Sequence, residues 1–303
     1  MLHGFEAFGV ASGVVSWALC WFSTAIDMGR VFQWIRIALA GLAFVGFGVG
    51  GVLLACLVLP VVARWPGSLF QSRQRCQRVV RAAWIFFHDY MRIMGLVAFN
   101  HRTCEVEVPR PSVIIANHPT LVDITALVAV LGSTCFVVKQ SLFRSRILGP
   151  LLRACGHICN RNQGPQPELG VMPEALSRLA AGHSVLLFPE GTRSQVNGLR
   201  RFRLGAFELA RQAGVPLVVL GIRAEPPGLG RGTPWHAIPP VAIQLRIFPV
   251  AMVSDWRHYP TLRSLSALRT ATRDLILERV HGLKPGAGAA DDSVGLVVNR
   301  EQS

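Results

Sequence analysis

The chain changes character along its length, first in how its apolar residues are spaced. From Ile37 to Ala63 no charged residue occurs, and about 20 apolar residues suffice to cross a bilayer's hydrocarbon core. Glycines at 41, 46, 48, 50 and 51 suit a membrane helix lying close against a neighbour. An earlier uncharged run, Ala7 to Ile26, is richer in Ser and Gly. Joined through Asp27 to Arg36, the two runs are compatible with a helical hairpin in the membrane. No Lys or Arg precedes the first run, so it does not read as a signal peptide. Between Arg73 and Gly95 the apolar Val80, Trp84, Phe87, Met91 and Met94 recur at helical spacing, with the arginines mainly elsewhere. This predicts an amphipathic helix, either at a membrane interface or facing a core.

From Cys104 onward, short apolar runs alternate with helix-length stretches. Strands are predicted at Cys104 to Val108, Ser112 to Ala116, Cys135 to Val138, His157 to Asn160, Ser184 to Phe188, Pro216 to Ile222 and Ala242 to Phe248. Helices are predicted at Leu121 to Leu131, Ser141 to Ala154, Glu168 to Ala181, Arg203 to Ala213 and Thr261 to His281. Such alternation indicates an α/β domain with a largely parallel sheet flanked by helices. Pro226 to Pro240 reads as a Gly/Pro-rich loop carrying Arg231, Trp235 and His236, and the composition after Pro285 predicts a disordered tail. The expected organisation is a membrane anchor of one or two hydrophobic helices over 1–65 and a basic amphipathic interfacial helix over 66–100. A catalytic domain follows over 101–283, then a tail over 284–303.

Charge changes this picture by adding a surface. The formal net charge is +14 and the pI about 11.0, yet only 16% of residues are charged and the mean hydropathy is +0.39. A basic but apolar chain points to an anionic phospholipid membrane before nucleic acid. No zinc-finger spacing, RNP-like aromatic motif or heptad run is present, so no nucleic-acid partner is expected. Arg64, Arg73, Arg75, Arg78 and Arg81 follow the long apolar run. By the positive-inside rule they place the following domain on the cytoplasmic face of the inner membrane. Seven irregularly spaced cysteines fit free thiols in a reducing compartment. Cys155, His157 and Cys159 would share one face of a strand, but no fourth ligand is nearby, so packed thiols rather than a metal are expected.

Two segments follow predicted strands and carry chemistry: Asn117 to Asp123 and Phe188 to Ser194. Groups just past the carboxyl ends of parallel strands gather on one edge of the sheet. In the first segment Thr120 and Asp123 have the spacing of a helix capping box. Equally, the first helical turn brings Asp123 back toward His118, where it would set the imidazole tautomer and stabilise the imidazolium of a general base. In the second, Pro189 ends the strand and Gly191 permits a tight turn. Glu190, Thr192 and Arg193 around that turn suit a hydroxylated, phosphorylated ligand: Glu190 accepting from hydroxyls, Thr192 donating, Arg193 gripping phosphate.

Asn117-His118-Pro119-Thr120-Leu121-Val122-Asp123 and Phe188-Pro189-Glu190-Gly191-Thr192-Arg193-Ser194 resemble the first and third signature blocks of the glycerolipid (lysophospholipid) acyltransferase family, similar to 1-acylglycerol-3-phosphate acyltransferases. Gly156 to Arg161 resembles the second block, Gly214 to Leu220 the apolar fourth, and Phe202 to Phe207 the stretch after block three. The resemblance runs from about residue 90 to 225. It implies transfer of an acyl chain from acyl-CoA or acyl carrier protein to a lipid hydroxyl, with no cofactor beyond that co-substrate. His118 would be the base and Asp123 its partner. Glu190, Gly191, Thr192 and Arg193 would hold the lysolipid head, with Arg161, Asn117 and Lys139 as further substrate-binding positions. Asn160, Cys159 and Thr120 depart from the usual block residues. They leave room for an acceptor that is not a glycerophospholipid, such as an ornithine lipid or a polyketide-type lipid. The rivals are an idle lipid-binding protein and a thioesterase using His118 to activate water.

Overall fold

The computed structural model describes residues 7–146, 148–161, 170–195, 198–282 and 297–298, with side chains from residue 28 onward and not for 297–298. Helix α1 (Ala7–Leu53) passes through a π-helical turn, Leu54–Val58, into α2 (Leu59–Arg64). The π-turn lies directly ahead of Pro60, which has no N–H to offer the carbonyl one turn back. The hairpin expected from the two apolar runs is absent, because Asp27 to Arg36 continues the helix. That connector holds no proline, and one glycine, Gly29, costs only about 1 kcal/mol in a helix. Among the described residues, Met28–Arg64 is the helix long and apolar enough to cross a membrane.

Its two sides differ. Ala40, Ala43, Ala55 and Leu59 are buried against the rest of the chain, whereas Val31, Trp34, Ile35, Leu42, Val45, Val49, Leu53 and Leu57 are exposed. Only part of the glycine expectation holds. A Cβ at Gly41 would meet the Trp235 ring at 3.5 Å, but nothing lies within 4 Å of one at Gly46, Gly48 or Gly50.

Helix α3 (Leu69–Ile93) starts on a capping box, Ser68 with Gln71. Its predicted apolar stripe turns inward: Val80 and Met91 are buried, and Trp84 stacks on Phe47 of α1 at 5.0 Å. The helix is therefore core-facing along that stripe, and Leu69, Phe86 and Ile93 are exposed.

The strands are β1 (Val97–Ala98), β2 (Val113–Ala116), β3 (Thr134–Lys139), β4 (Ile158–Asn160), β5 (Ser184–Leu187), β6 (Leu217–Glu225), β7 (Ile243–Val253) and β8 (Val297–Val298). Their order is β1-β7-β6-β2-β5-β3-β4, with β8 paired to β7. All pairings are parallel except those of β7 with β6 and β8. The largely parallel sheet flanked by helices is thus as expected. Strand residues alternate between two cores. Ile114, Phe136, Leu186 and Val218 pack toward α1, α3 and α4 (Asp123–Leu131). Val113, Cys135, Val185 and Val219 pack toward α7 (Met172–Ala180), α8 (Gly205–Ala213) and α9 (Leu262–His281).

Several boundaries differ from the pattern reading. Cys104 to Val108 is not a strand, although Cys104, Val106 and Val108 do face the core. Val106 N–H bonds the Cys104 carbonyl, and the following Pro109 and Pro111 have no N–H for a ladder. The predicted helix at Ser141 to Ala154 is two, α5 (Gln140–Phe143) and α6 (Leu148–Ala154). Pro150 is tolerated only in the first turn of a helix, so a continuous one cannot run through it. Helix α7 begins at Met172 with Pro173 in its first turn, and residues 168 and 169 of the predicted helix lie outside the described residues. So does the tail over 284–303, apart from Val297–Val298.

Candidate active site

Strands β2 and β5 are neighbours with Ile115 level with Leu187, so Asn117 and Phe188 leave the sheet side by side. From β2 the chain crosses toward β3, and from β5 toward β6, on opposite sides. The carboxyl edge between β2 and β5 is therefore a topological switch point, where open α/β sheets form a crevice. Lys139 and Asn160, paired at the ends of β3 and β4, reach the same edge.

The His118 ring stacks on Phe188 with centroids 4.2 Å apart. Its Nδ1 lies 2.8 Å from Asp123 Oδ2. Asp123, fully buried, is the first residue of α4, where the helix dipole favours a carboxylate. Thr120 donates its N–H to Asp123 Oδ2 at 2.7 Å and its hydroxyl to Oδ1. Asp123 thus orients the histidine and bonds Thr120 at once, but Thr120 does not return the bond as a full capping box would. His118 Nε2 has no protein partner among the described residues and is left for the cavity.

The backbone of His118 is clamped by the second segment. Its N–H points to Ser194 Oγ at 3.1 Å and Glu190 Oε1 at 3.3 Å, and its carbonyl accepts from Ser194 N–H at 2.7 Å. Glu190 is buried, accepts from the Ser194 hydroxyl at 2.5 Å and takes the Arg200 N–H on Oε2 at 3.0 Å. Burial raises its pKa, against the pull of those donors. Both carboxylate oxygens of Glu190 thus take bonds from the chain itself, which makes it an internal brace behind His118.

Asn117 is also internal. Its amide donates to Ile222 O at 2.8 Å and accepts from Ile222 N–H at 2.7 Å, extending the β2–β6 ladder by one side chain. Arg161 is exposed and does not line the cavity.

The cavity itself measures about 540 Å³. Leu121, Ile124, Val137, Leu142, Met172 and Leu187 give it an apolar wall. His118, Thr192, Lys139, Arg193, Arg203 and Arg231 supply its polar surface, with no carboxylate among the lining residues. Gly191 turns at φ 69°, and a Cβ there would stand 3.1 Å from Arg203 Nε, so the turn needs glycine. Arg193 Nη1 donates to the carbonyls of Leu229 at 3.0 Å and Gly230 at 2.8 Å.

Of the predicted site residues, His118, Asp123, Gly191, Thr192, Arg193 and Lys139 are brought together; Glu190 and Asn117 stand behind them. Ser194, Arg203 and Arg231 were not assigned roles from the sequence. Ser194 closes the signature segment and Arg203 sits in the basic stretch after it, so proximity in the motif was a signal for both. Cys155, His157 and Cys159 do not share a strand face. Strand β4 begins only at Ile158, and His157 Nδ1 accepts the Phe136 N–H at 3.0 Å.

Residues 95–223 match the family model described as Acyltransferase. The chain carries an acyltransferase-family domain. Both sheet-edge segments fall within it. The chain is similar to human 1-acyl-sn-glycerol-3-phosphate acyltransferase beta, 33% identical over 165 residues, covering 54% of this chain and 59% of that one. It is similar to the Escherichia coli (strain K12) 1-acyl-sn-glycerol-3-phosphate acyltransferase, 31% identical over 138 residues, covering 44% and 56%. The chain spans only 30% to 35% of the length of three plant and algal relatives. Its fold is similar to that of the crystal structure of the 1-acyl-sn-glycerophosphate acyltransferase PlsC from Thermotoga maritima, with a TM-score of 0.62. The match has 18% identity over 84% of this chain and 100% of the other.

Proposed function

We propose that this chain is a membrane-bound O-acyltransferase that moves an acyl chain from acyl-CoA or acyl carrier protein to the hydroxyl of a lysophospholipid. The observation that carries the reading is the His118–Asp123 pair, 2.8 Å apart, with His118 lining a cavity that combines apolar side chains and cations. Asp123 accepts from Nδ1–H, which leaves Nε2 as the acceptor for the substrate hydroxyl. As that oxygen attacks the thioester carbonyl, its proton passes to Nε2, and Asp123 stabilises the imidazolium. The tetrahedral intermediate then collapses, the C–S bond breaks, and the imidazolium returns the proton to the departing thiolate. Ser194 is buried and donates to Glu190, which favours direct attack over an acyl-enzyme.

The exposed ridge of α1 supports membrane attachment, and the arginines after it support a cytoplasmic domain. The names of the relatives favour a 1-acylglycerol-3-phosphate acceptor; an ornithine or polyketide-type lipid would use the same base and thioester.

The test is thiol release and diacyl product formation by detergent-solubilised protein given acyl-CoA with and without lysophosphatidate. His118→Ala should lower turnover by about 10²–10⁴-fold while the protein stays folded. Full activity in that variant refutes the base, acceptor-independent release of fatty acid makes the protein a thioesterase, and no thioester consumption makes it a lipid-binding protein.

A further inference from the structure

The Pro226 to Pro240 loop lies beyond the 95–223 match, yet it builds part of the cavity. Leu229 sits in the left-handed region at φ 54°, which is costly for a branched side chain. Three hydrogen bonds from the active-site segments hold it there. Leu229 O accepts the Leu121 N–H at 3.0 Å and Arg193 Nη1 at 3.0 Å, and Gly230 O accepts Nη1 at 2.8 Å.

The far side of the loop is fastened to α1. Gln33 donates to Ile238 O at 2.8 Å, Arg36 donates to Pro239 O at 3.3 Å, and Trp235 meets Phe44 edge-on at 6.0 Å. The loop is therefore strung between the apolar helix and the catalytic segments. At its centre it delivers Arg231 to the cavity that holds His118. Arg231 is exposed and has no carboxylate partner among the described residues. Arg193, by contrast, commits Nη1 to the loop and so braces it.

We propose that Arg231 is a specificity-determining residue whose guanidinium binds a phosphate group of the substrate beside His118, while Arg193 braces the loop that presents it. The proposal rests on the acyltransfer reading above. Two substrates carry phosphate there, the lysolipid acceptor and the CoA or phosphopantetheine of the donor. A guanidinium fork matches either, and a hydrogen bond between charged groups is the strong kind.

The experiment compares the full-length wild type, Arg231→Gln and Arg231→Lys in detergent. Acceptors are lysophosphatidate and monoacylglycerol; donors are acyl-CoA and an acyl-cysteamine thioester without phosphate. In Arg231→Gln the KM of the phosphorylated partner should rise about 10–100-fold with kcat within about threefold. The preference for that partner over its phosphate-free analogue should fall by the same factor. Arg231→Lys should recover part of the loss. Whether the acceptor or the donor preference falls identifies the source of the phosphate. Unchanged preferences for both refute the proposal. So does an equal loss of kcat on all substrates without Lys rescue, which is the mark of a loop brace. If the wild type turns over no thioester, the acyltransfer reading fails instead. Equilibrium binding of lysophosphatidate, monoacylglycerol and CoA to wild type and Arg231→Gln then decides the phosphate contact by itself.

Discussion

Asp123→Asn is the sharpest single perturbation of the site. The native carboxylate takes three hydrogen bonds: from His118 Nδ1 at 2.8 Å, from Thr120 N–H at 2.7 Å and from the Thr120 hydroxyl. An amide of the same shape can keep its oxygen at the Oδ2 position, accepting from both His118 Nδ1 and Thr120 N–H, while its NH2 donates to the Thr120 hydroxyl oxygen. The orientation of His118 is then retained, and what the substitution removes is the anion that balances the imidazolium. At about 4 Å, a pair of opposite charges near a protein surface (effective dielectric about 20) is worth about 4 kcal/mol. Even three-quarters of that is a factor of more than 10² in rate. The expected fall in kcat is about 10²–10⁴-fold, with the acceptor KM changed little because Asp123 does not line the cavity. The assay is initial-rate thiol release at saturating acyl-CoA and lysophosphatidate, with thermal unfolding recorded for both proteins. A folded Asp123→Asn variant with kcat within threefold of wild type would falsify the charge-stabilising role.

Two further outcomes follow from burial. Asn117→Ala leaves the N–H and carbonyl of fully buried Ile222 without partners, at about 1–3 kcal/mol for each unsatisfied group. A urea midpoint shift equivalent to about 2–5 kcal/mol is expected, and a shift below about 1 kcal/mol would show that water replaces the amide. His88 and His157 are buried, and burial lowers each pKa to about 4, with the charge of His101 adding to the shift at His88. In the unfolded chain both titrate near 6.5. Between about pH 6.5 and 4 the unfolded state therefore binds more protons. Stability is full above that window and is lost as pH falls through it, by up to roughly 3 kcal/mol per histidine. The melting temperature should drop steeply from pH 6.5 to 4.5, and a flat profile would contradict the neutral, buried assignment.

Much of this was legible because it is local. The apolar runs behind Asn117 and Phe188 predicted parallel strands ending at one edge of the sheet, and the structure makes them the neighbours β2 and β5. His118 and Asp123 lie five residues apart across one strand end and one helix start, so a single turn of backbone brings them together. Gly191 follows from its turn. The failures are also physical. Alternation at Cys104 to Val108 reports which side chains face the core, but a strand needs a partner with free N–H and carbonyl groups, and the prolines deny it. The apolar run of α1 carries too little amphipathic contrast to say which side packs inward. Only contact with α3 and with Trp235 decides that.

What the sequence by itself determined is the α/β alternation, the basic apolar character and the two segments at one sheet edge. Each depends on neighbours within about a helical turn or a strand. What only the tertiary structure decided is the partner of each polar group. Glu190 braces His118 across 72 residues, Arg193 holds a loop 36 residues on, and Asn117 bonds Ile222 across 105. A side chain's chemistry states how many hydrogen bonds it can make. Which groups receive them depends on chain ends meeting in space, and that assigned Glu190 and Asn117 to the scaffold and brought Arg231 to the cavity.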